Sequence, residues 1–144
     1  MTATSHALTG AFIATVIRQP ILAISLSFLS HFICDALPHL GIKMKFGDRA
    51  MKWWLAIDGT LVVFFAVSLI MLNVENPVLL AVCGFAAMSP DLFWLYHGLK
   101  GRSPESYGPF TRFHAAIQKY ESVPGLAVDV IWSLSAFLLI VKLQ

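Results

Sequence analysis

The chain has 144 residues, of which 58% are hydrophobic and only 12% charged, and its mean hydropathy is +0.75. An ordinary soluble domain carries about 25% charged residues, and a chain this short cannot hide such an apolar surplus in one small core, so much of it must face lipid. Ten Lys and Arg against eight Asp and Glu leave a net charge of +2, neither the basic excess of a nucleic-acid binder nor an acidic tail, and no nucleic-acid partner is expected.

The N-terminus has no Lys or Arg before its first apolar run, so a cleaved signal peptide is not expected. Apolar segments then run over about residues 6–17, 21–37, 53–72, 78–99 and 126–143. They predict an all-α polytopic membrane bundle of about five helices, read as a single membrane domain over residues 1–144. The last four segments have the roughly 17 to 25 residues needed to cross a hydrocarbon core of about 30 Å. The first is short and ends at Arg18-Gln19-Pro20, which reads as a tight turn. A single kinked helix through that point would leave Arg18 near the bilayer centre, a cost of about 2.5–3.5 kcal/mol, so a hairpin is expected.

With five crossings, one side receives Lys43, Lys45, Arg49, Lys52, Lys100, Arg102, Arg112 and Lys119, and the other only Arg18 and Lys142. This bias predicts an integral membrane protein with its N-terminus and long basic loops in the cytoplasm, where Trp53 and Trp54 fit an aromatic belt. Thr111 to Glu121 reads as an amphipathic interfacial segment. Cys34 and Cys83 lie in apolar stretches without CxxC spacing and suggest neither a disulfide framework nor a thiolate zinc site.

Ionisable residues inside membrane segments are expensive and point by default to a functional site. His6, His31, Asp35, His39, Asp58, Asp91, His97 and Asp129 lie in or beside separate segments, yet alternating helix direction puts all of them toward the cytoplasmic side. Nothing about hydrophobicity requires one shared depth. His31 and Asp35, four apart, lie about 40° apart on one helical face. An imidazole and a carboxylate so placed can share a zinc or other transition-metal ion, or pair with each other to fix helix packing. His39 follows Pro38, which tends to end the helix.

The run Ser30-His31-Phe32-Ile33-Cys34-Asp35-Ala36-Leu37-Pro38-His39 resembles the signature of the inner-membrane family known as membrane-bound metal-dependent hydrolases. It is locally similar to zinc phospholipase C and the single-strand-specific zinc nucleases. In those soluble enzymes a helical His-x-x-x-Asp supplies zinc ligands, so the resemblance implies His31 and Asp35 as ligands. His39 comes two residues earlier than their next ligand His, and His114 to Gln118 has an amide where their later pair has a carboxylate. His6-Ala7-Leu8-Thr9-Gly10 and Ser89-Pro90-Asp91 are similar to further polar motifs of the membrane family.

Asp91 follows Pro90, whose missing N–H can kink the helix and open space near the carboxylate. Asp58 has Gly59 beside it, which would allow close approach of a helix or ligand. His114, Gln118 and Glu121 recur at i, i+4 and i+7 beside an apolar stripe. The candidate ligands for a divalent metal, zinc or manganese, are therefore His6, His31, Asp35, His39, Asp58, Asp91 and His114. Glu121 is the candidate general base, and Arg102 and Arg112 could hold a phosphate. His97 points about 240° from Asp91 on a continuous helix, and Asp129 suits a helix N-terminus, so both are left outside. Gly10 and Ala14 read as packing residues.

The expected activity is hydrolysis of a phosphoester or other ester of a membrane lipid at the cytoplasmic interface. The same acids and imidazoles would also suit a proton or divalent-cation transporter, or a noncatalytic membrane subunit whose polar cluster fixes assembly.

Overall fold

The computed structural model describes residues 1–41, 47–101 and 108–144. Its described residues form seven helices and one two-residue strand pair. The helices are α1 (Ala3–Val16), α2 (Pro20–Asp35), α3 (Arg49–Met71), α4 (Pro77–Met88), α5 (Asp91–Leu99), α6 (Pro109–Ile117) and α7 (Gly125–Lys142). β1 (His39–Leu40) pairs parallel with β2 (Glu121–Ser122), His39 opposite Glu121.

The helical class is as expected, but the count of about five is corrected to seven. Ser89-Pro90 divides the fourth apolar segment into α4 and α5, bent by 57°, because proline cannot donate the hydrogen bond that would carry the ladder through. The amphipathic segment supplies α6. The expectation of four full-length spans is corrected too. α3 and α7 are long and apolar enough to cross a bilayer, and α4 with α5 makes a third if the bent pair counts as one. α2, with 16 residues, is shorter.

The short first helix proves to be the centre of the bundle. α1 packs against α2, α3, α4 and α7 and buries Thr4, Ser5, His6, Thr9 and Gly10 with Leu8, Ala11 and Ala14. Surrounded by protein, it needs neither the length nor the continuous apolarity of a helix facing lipid. Its approach to α4 is set by Gly10: a Cβ there would lie 2.2 Å from the Cys83 carbonyl oxygen and 2.9 Å from the Gly84 Cα. Only hydrogen fits between the two backbones.

α1 ends before Arg18-Gln19-Pro20, and α2 opens with Pro20 at its first turn while the Gln19 side chain accepts from the Leu22 N–H. The hairpin thus forms where the breaker lies. α2 turns Ala23, Ser27, Ser30, His31, Cys34 and Asp35 inward, a three-to-four residue spacing that makes one buried stripe. Arg18 pairs with Glu75 at 3.0 Å, joining the α1–α2 and α3–α4 turns at one end. The N-terminus, α6 and the strand pair lie together around Asp35 and Glu121 at the other.

α3 and α7 carry the lipid-like exterior. Val63, Phe64, Ile70, Ile131 and Leu138 are all more than half exposed, a distribution that would be costly in water. Where α3 meets α1, Asp58 is buried and caps that helix, accepting from the Ala3 N–H (2.7 Å), the Thr4 N–H (3.1 Å) and the Thr4 hydroxyl (2.6 Å). Asp129 ties α7 to two neighbours, accepting from the Leu40 N–H at 3.1 Å and the Ser5 hydroxyl at 3.2 Å. Gly125 lets β1 lie over the start of α7, since a Cβ there would fall 2.0 Å from the His39 carbonyl oxygen.

Candidate metal centre

Four side chains converge at the polar end of the bundle: His31 and Asp35 from α2, Asp91 from the first turn of α5, and His114 from α6. One donor atom of each lies within 4.8 Å of all the others, and the group could hold a metal ion. His31 and His114 place their Nε2 atoms 2.8 Å apart. Asp35 Oδ2 is 3.2 Å from His31 Nε2 and 2.9 Å from His114 Nε2. Asp91 Oδ1 stands 3.7 Å from both imidazoles.

Local sequence explains each placement. His31 and Asp35 share one face of α2 at i and i+4 and are wholly buried. The bend at Ser89-Pro90 makes Asp91 the first residue of α5, where a carboxylate favours the helix dipole and no longer follows the direction of α4. Aromatic contacts hold α6 on α2: Phe32 packs against Phe110 at 6.0 Å, Phe113 at 5.7 Å and the His114 ring at 5.9 Å. Phe110 also meets Phe93 of α5 at 4.8 Å, so α2, α5 and α6 are clamped around the four donors.

The donor chemistry fits a cation. His31 Nδ1 lies 2.8 Å from the Ala87 carbonyl oxygen. A carbonyl can only accept, so Nδ1 carries the hydrogen and, in the neutral ring, Nε2 presents a lone pair. That lone pair faces two carboxylates and a second imidazole. Acceptors so crowded repel one another unless protons or a cation lie among them, and a hydrogen-bonded far nitrogen is the usual arrangement behind a ligating histidine.

Asp35 is the hub. Its Oδ1 receives His6 Nε2 at 3.1 Å and the amine of Met1. Its Oδ2 receives the Gln118 amide at 3.0 Å, beside the two imidazoles. The fully buried His6 ring stacks on His31 at 4.0 Å and 23°, so His6 touches the group from the Oδ1 side.

The remaining sequence candidates are placed elsewhere. Asp58 caps α1. His39 hydrogen bonds its Nδ1–H to the Leu37 carbonyl at 2.7 Å, and its Nε2 lies 3.8 Å from Glu121 Oε1. Gly59, expected to admit a neighbour, faces open space. His97 contacts Thr111 at 3.3 Å, linking α5 to α6. Arg102, Lys43 and Lys45 lie outside the described residues.

A cavity of about 910 Å³ opens beside the cluster. Asp91, His114 and Gln118 reach it, Glu121 and Arg112 line it, and Trp54 and Trp94 form part of its wall. Glu121 is nearly half exposed, an accessible carboxylate at the rim. Three contributors carried no sequence signal: the Ala87 carbonyl is a backbone atom, Phe32 reads as ordinary apolar helix, and the strand pair is too short to show alternation.

The chain matches no protein-family model, no curated protein and no solved structure.

Proposed function

We propose that the chain is an integral membrane hydrolase that uses a divalent cation, zinc or manganese, to cleave a phosphoester or other ester bond of a membrane lipid at the cytoplasmic face. The observation that carries this reading is the convergence of His31, Asp35, Asp91 and His114 beside a cavity that Glu121 and Arg112 also line. A tetrahedral zinc ion with bonds of about 2.0–2.1 Å sets its donors about 3.3 Å apart. Five of the six pairwise contacts in the group, from 2.8 to 3.7 Å, bracket that value, and all four donors lie within 4.8 Å of one another. The family resemblance supports the same reading, because its His31–Asp35 and Ser89-Pro90-Asp91 motifs both contribute to the group.

When bound, a divalent cation supplies Lewis-acid polarisation of a phosphoryl or acyl oxygen and acidifies water. The protein's residues provide the rest. Ala87 and Gln118 orient His31 and Asp35, and Arg112 neutralises phosphate oxygens at the cavity mouth. Glu121 takes the proton from water as its oxygen joins phosphorus or the acyl carbon. The ester bond to the alcohol oxygen breaks, and the alcohol leaves with that proton. Arg102 is proposed as a second head-group contact.

Trp54 and Trp94 on the cavity wall suit the membrane–water boundary, and Arg49, Lys52, Lys100, Arg112 and Lys119 favour the cytoplasmic side by the positive-inside rule. A lipid meets these constraints: its head group reaches the donors while its tails stay in the bilayer. The test is elemental mass spectrometry on purified protein, followed by hydrolysis of phosphoester and acyl-ester lipids in vesicles. Stoichiometric metal with turnover that falls in Glu121→Gln is expected. Absence of metal after supplementation would refute the reading, and cation uptake into vesicles without hydrolysis would replace it with transport.

A further inference from the structure

A second, apolar groove runs between α1, α3 and α4. Ala7 and Ala11 form its floor on α1, Phe65 and Leu69 its wall on α3, and Pro77 and Met88 mark its two ends along α4. Its small residues matter, because Gly84 and Ala81 on α4 and Ala66 on α3 leave the space that larger side chains would fill. The groove is not an isolated defect in packing. Phe85 and Met88 line both it and the cavity beside the four metal-binding candidates, so the two spaces adjoin.

Its length identifies an occupant. From Pro77 to Met88 an α-helix rises about 16 Å, close to half of a hydrocarbon core of about 30 Å. Half of the core is the depth that one acyl chain spans in its own leaflet. A groove beginning beside a polar cavity, apolar along its length and ending one leaflet deep matches a single tail attached to a head group held at the donors.

We infer that this groove binds one acyl chain of a membrane lipid whose head group occupies the adjoining cavity, with Phe85 and Met88 at the junction between head and tail. The inference rests on the lipid-hydrolase reading for its head-group half and names the part of the substrate that sets specificity. The site selects for a long chain because only a long chain fills the groove to Pro77. Phe85 and Met88 fix where the ester linkage stops relative to His114 and Asp91.

The test uses the full chain in nanodiscs made from a phosphatidylcholine with a diazirine halfway along one acyl chain. Photolysis and peptide mass spectrometry then map the labelled residues. Labelling concentrated on the groove walls of α1, α3 and α4 is expected, above that on the exposed faces at Ile131 and Leu138 of α7. Ala66→Phe with Ala81→Phe, which fills the groove without touching the donors, should reduce groove labelling several-fold and leave bound metal unchanged. It should also lower turnover of long-chain lipid while sparing a short-chain analogue with the same head group. Labelling that merely follows lipid-exposed area, or crosslinks from the groove to a second copy of the chain, would overturn the proposal. Groove labelling without hydrolysis would refute the hydrolase reading alone; metal-dependent hydrolysis without groove labelling would refute the groove alone.

Discussion

The Nδ1–H of His31 is given to the main-chain oxygen of Ala87 across 2.8 Å, and this contact aims Nε2 of the same ring at Asp35, Asp91 and His114. Ala87 is the penultimate residue of α4, two residues before Ser89 of the Ser89-Pro90 bend. The break that brings Asp91 into the group therefore lies beside the carbonyl that orients His31. One local disruption of a helix thus serves two donors.

Loss of metal should follow donor chemistry. His31→Ala and Asp35→Ala are expected to remove stoichiometric metal from the purified protein. Asp35→Asn keeps the side-chain shape but removes the charge and replaces one of the two acceptor oxygens with a donor NH2, and should weaken binding sharply, with the thermal melt reporting how much of the loss is folding. Elemental mass spectrometry beside a thermal melt separates these effects. Metal retained at wild-type levels in Asp35→Ala would exclude Asp35 as a ligand.

Asp58 should behave differently despite being an intramembrane carboxylate. It satisfies the first N–H groups of α1, so Asp58→Ala is expected to destabilise the protein by about 1–2 kcal/mol, the usual cost of losing a helix cap. Bound metal per folded chain should not change. A folded Asp58→Ala protein without metal would put Asp58 back among the ligands.

This contrast marks what was legible in the sequence. The shared depth of His31, Asp35, Asp91 and His114 could be read because helix direction alternates and polar residues are conspicuous in apolar segments. Which of the polar residues meet could not be read, because that depends on helix rotation and on the bend at Pro90. Asp58 looked equivalent to Asp91 in the sequence, but it accepts from the first N–H groups of α1; Asp129, set apart in the sequence as suited to a helix N-terminus, accepts instead from the Leu40 N–H of β1 and the Ser5 hydroxyl. The central position of α1 was hidden for a related reason: a helix enclosed by protein can be short and rich in Ser, Thr and Gly, which imitates a poor membrane span.

The α1–α4 contact gives a stability test with an internal control. Gly10→Ala puts a methyl group 2.2 Å from the Cys83 carbonyl, so the helices must separate, and a loss of about 1–3 kcal/mol is expected from overpacking. Gly59→Ala adds its methyl group to open space and should be neutral or slightly stabilising through better helix propensity. Thermal unfolding in one detergent compares the two. Equal melting temperatures would show that α1 and α4 do not pack as described.

The His39–Glu121 pair gives a pH dependence with a definite sign. Burial pulls the His39 imidazole down, but the Glu121 carboxylate beside it, with the Leu37 carbonyl, more than offsets this and leaves the ring above its ordinary value. A histidine whose folded pKa is raised adds stability that is fully present below its unfolded value of about 6.5 and is lost as pH rises through the higher folded value. Wild-type protein should therefore lose stability relative to Glu121→Gln as pH rises from mildly acidic to mildly alkaline, because the amide cannot favour the imidazolium. The difference in melting temperature between the two proteins, followed across that range, reads the effect directly. A difference that stays constant with pH would mean that Glu121 does not hold the charged form of His39, and that the β1–β2 pairing keeps them together without it.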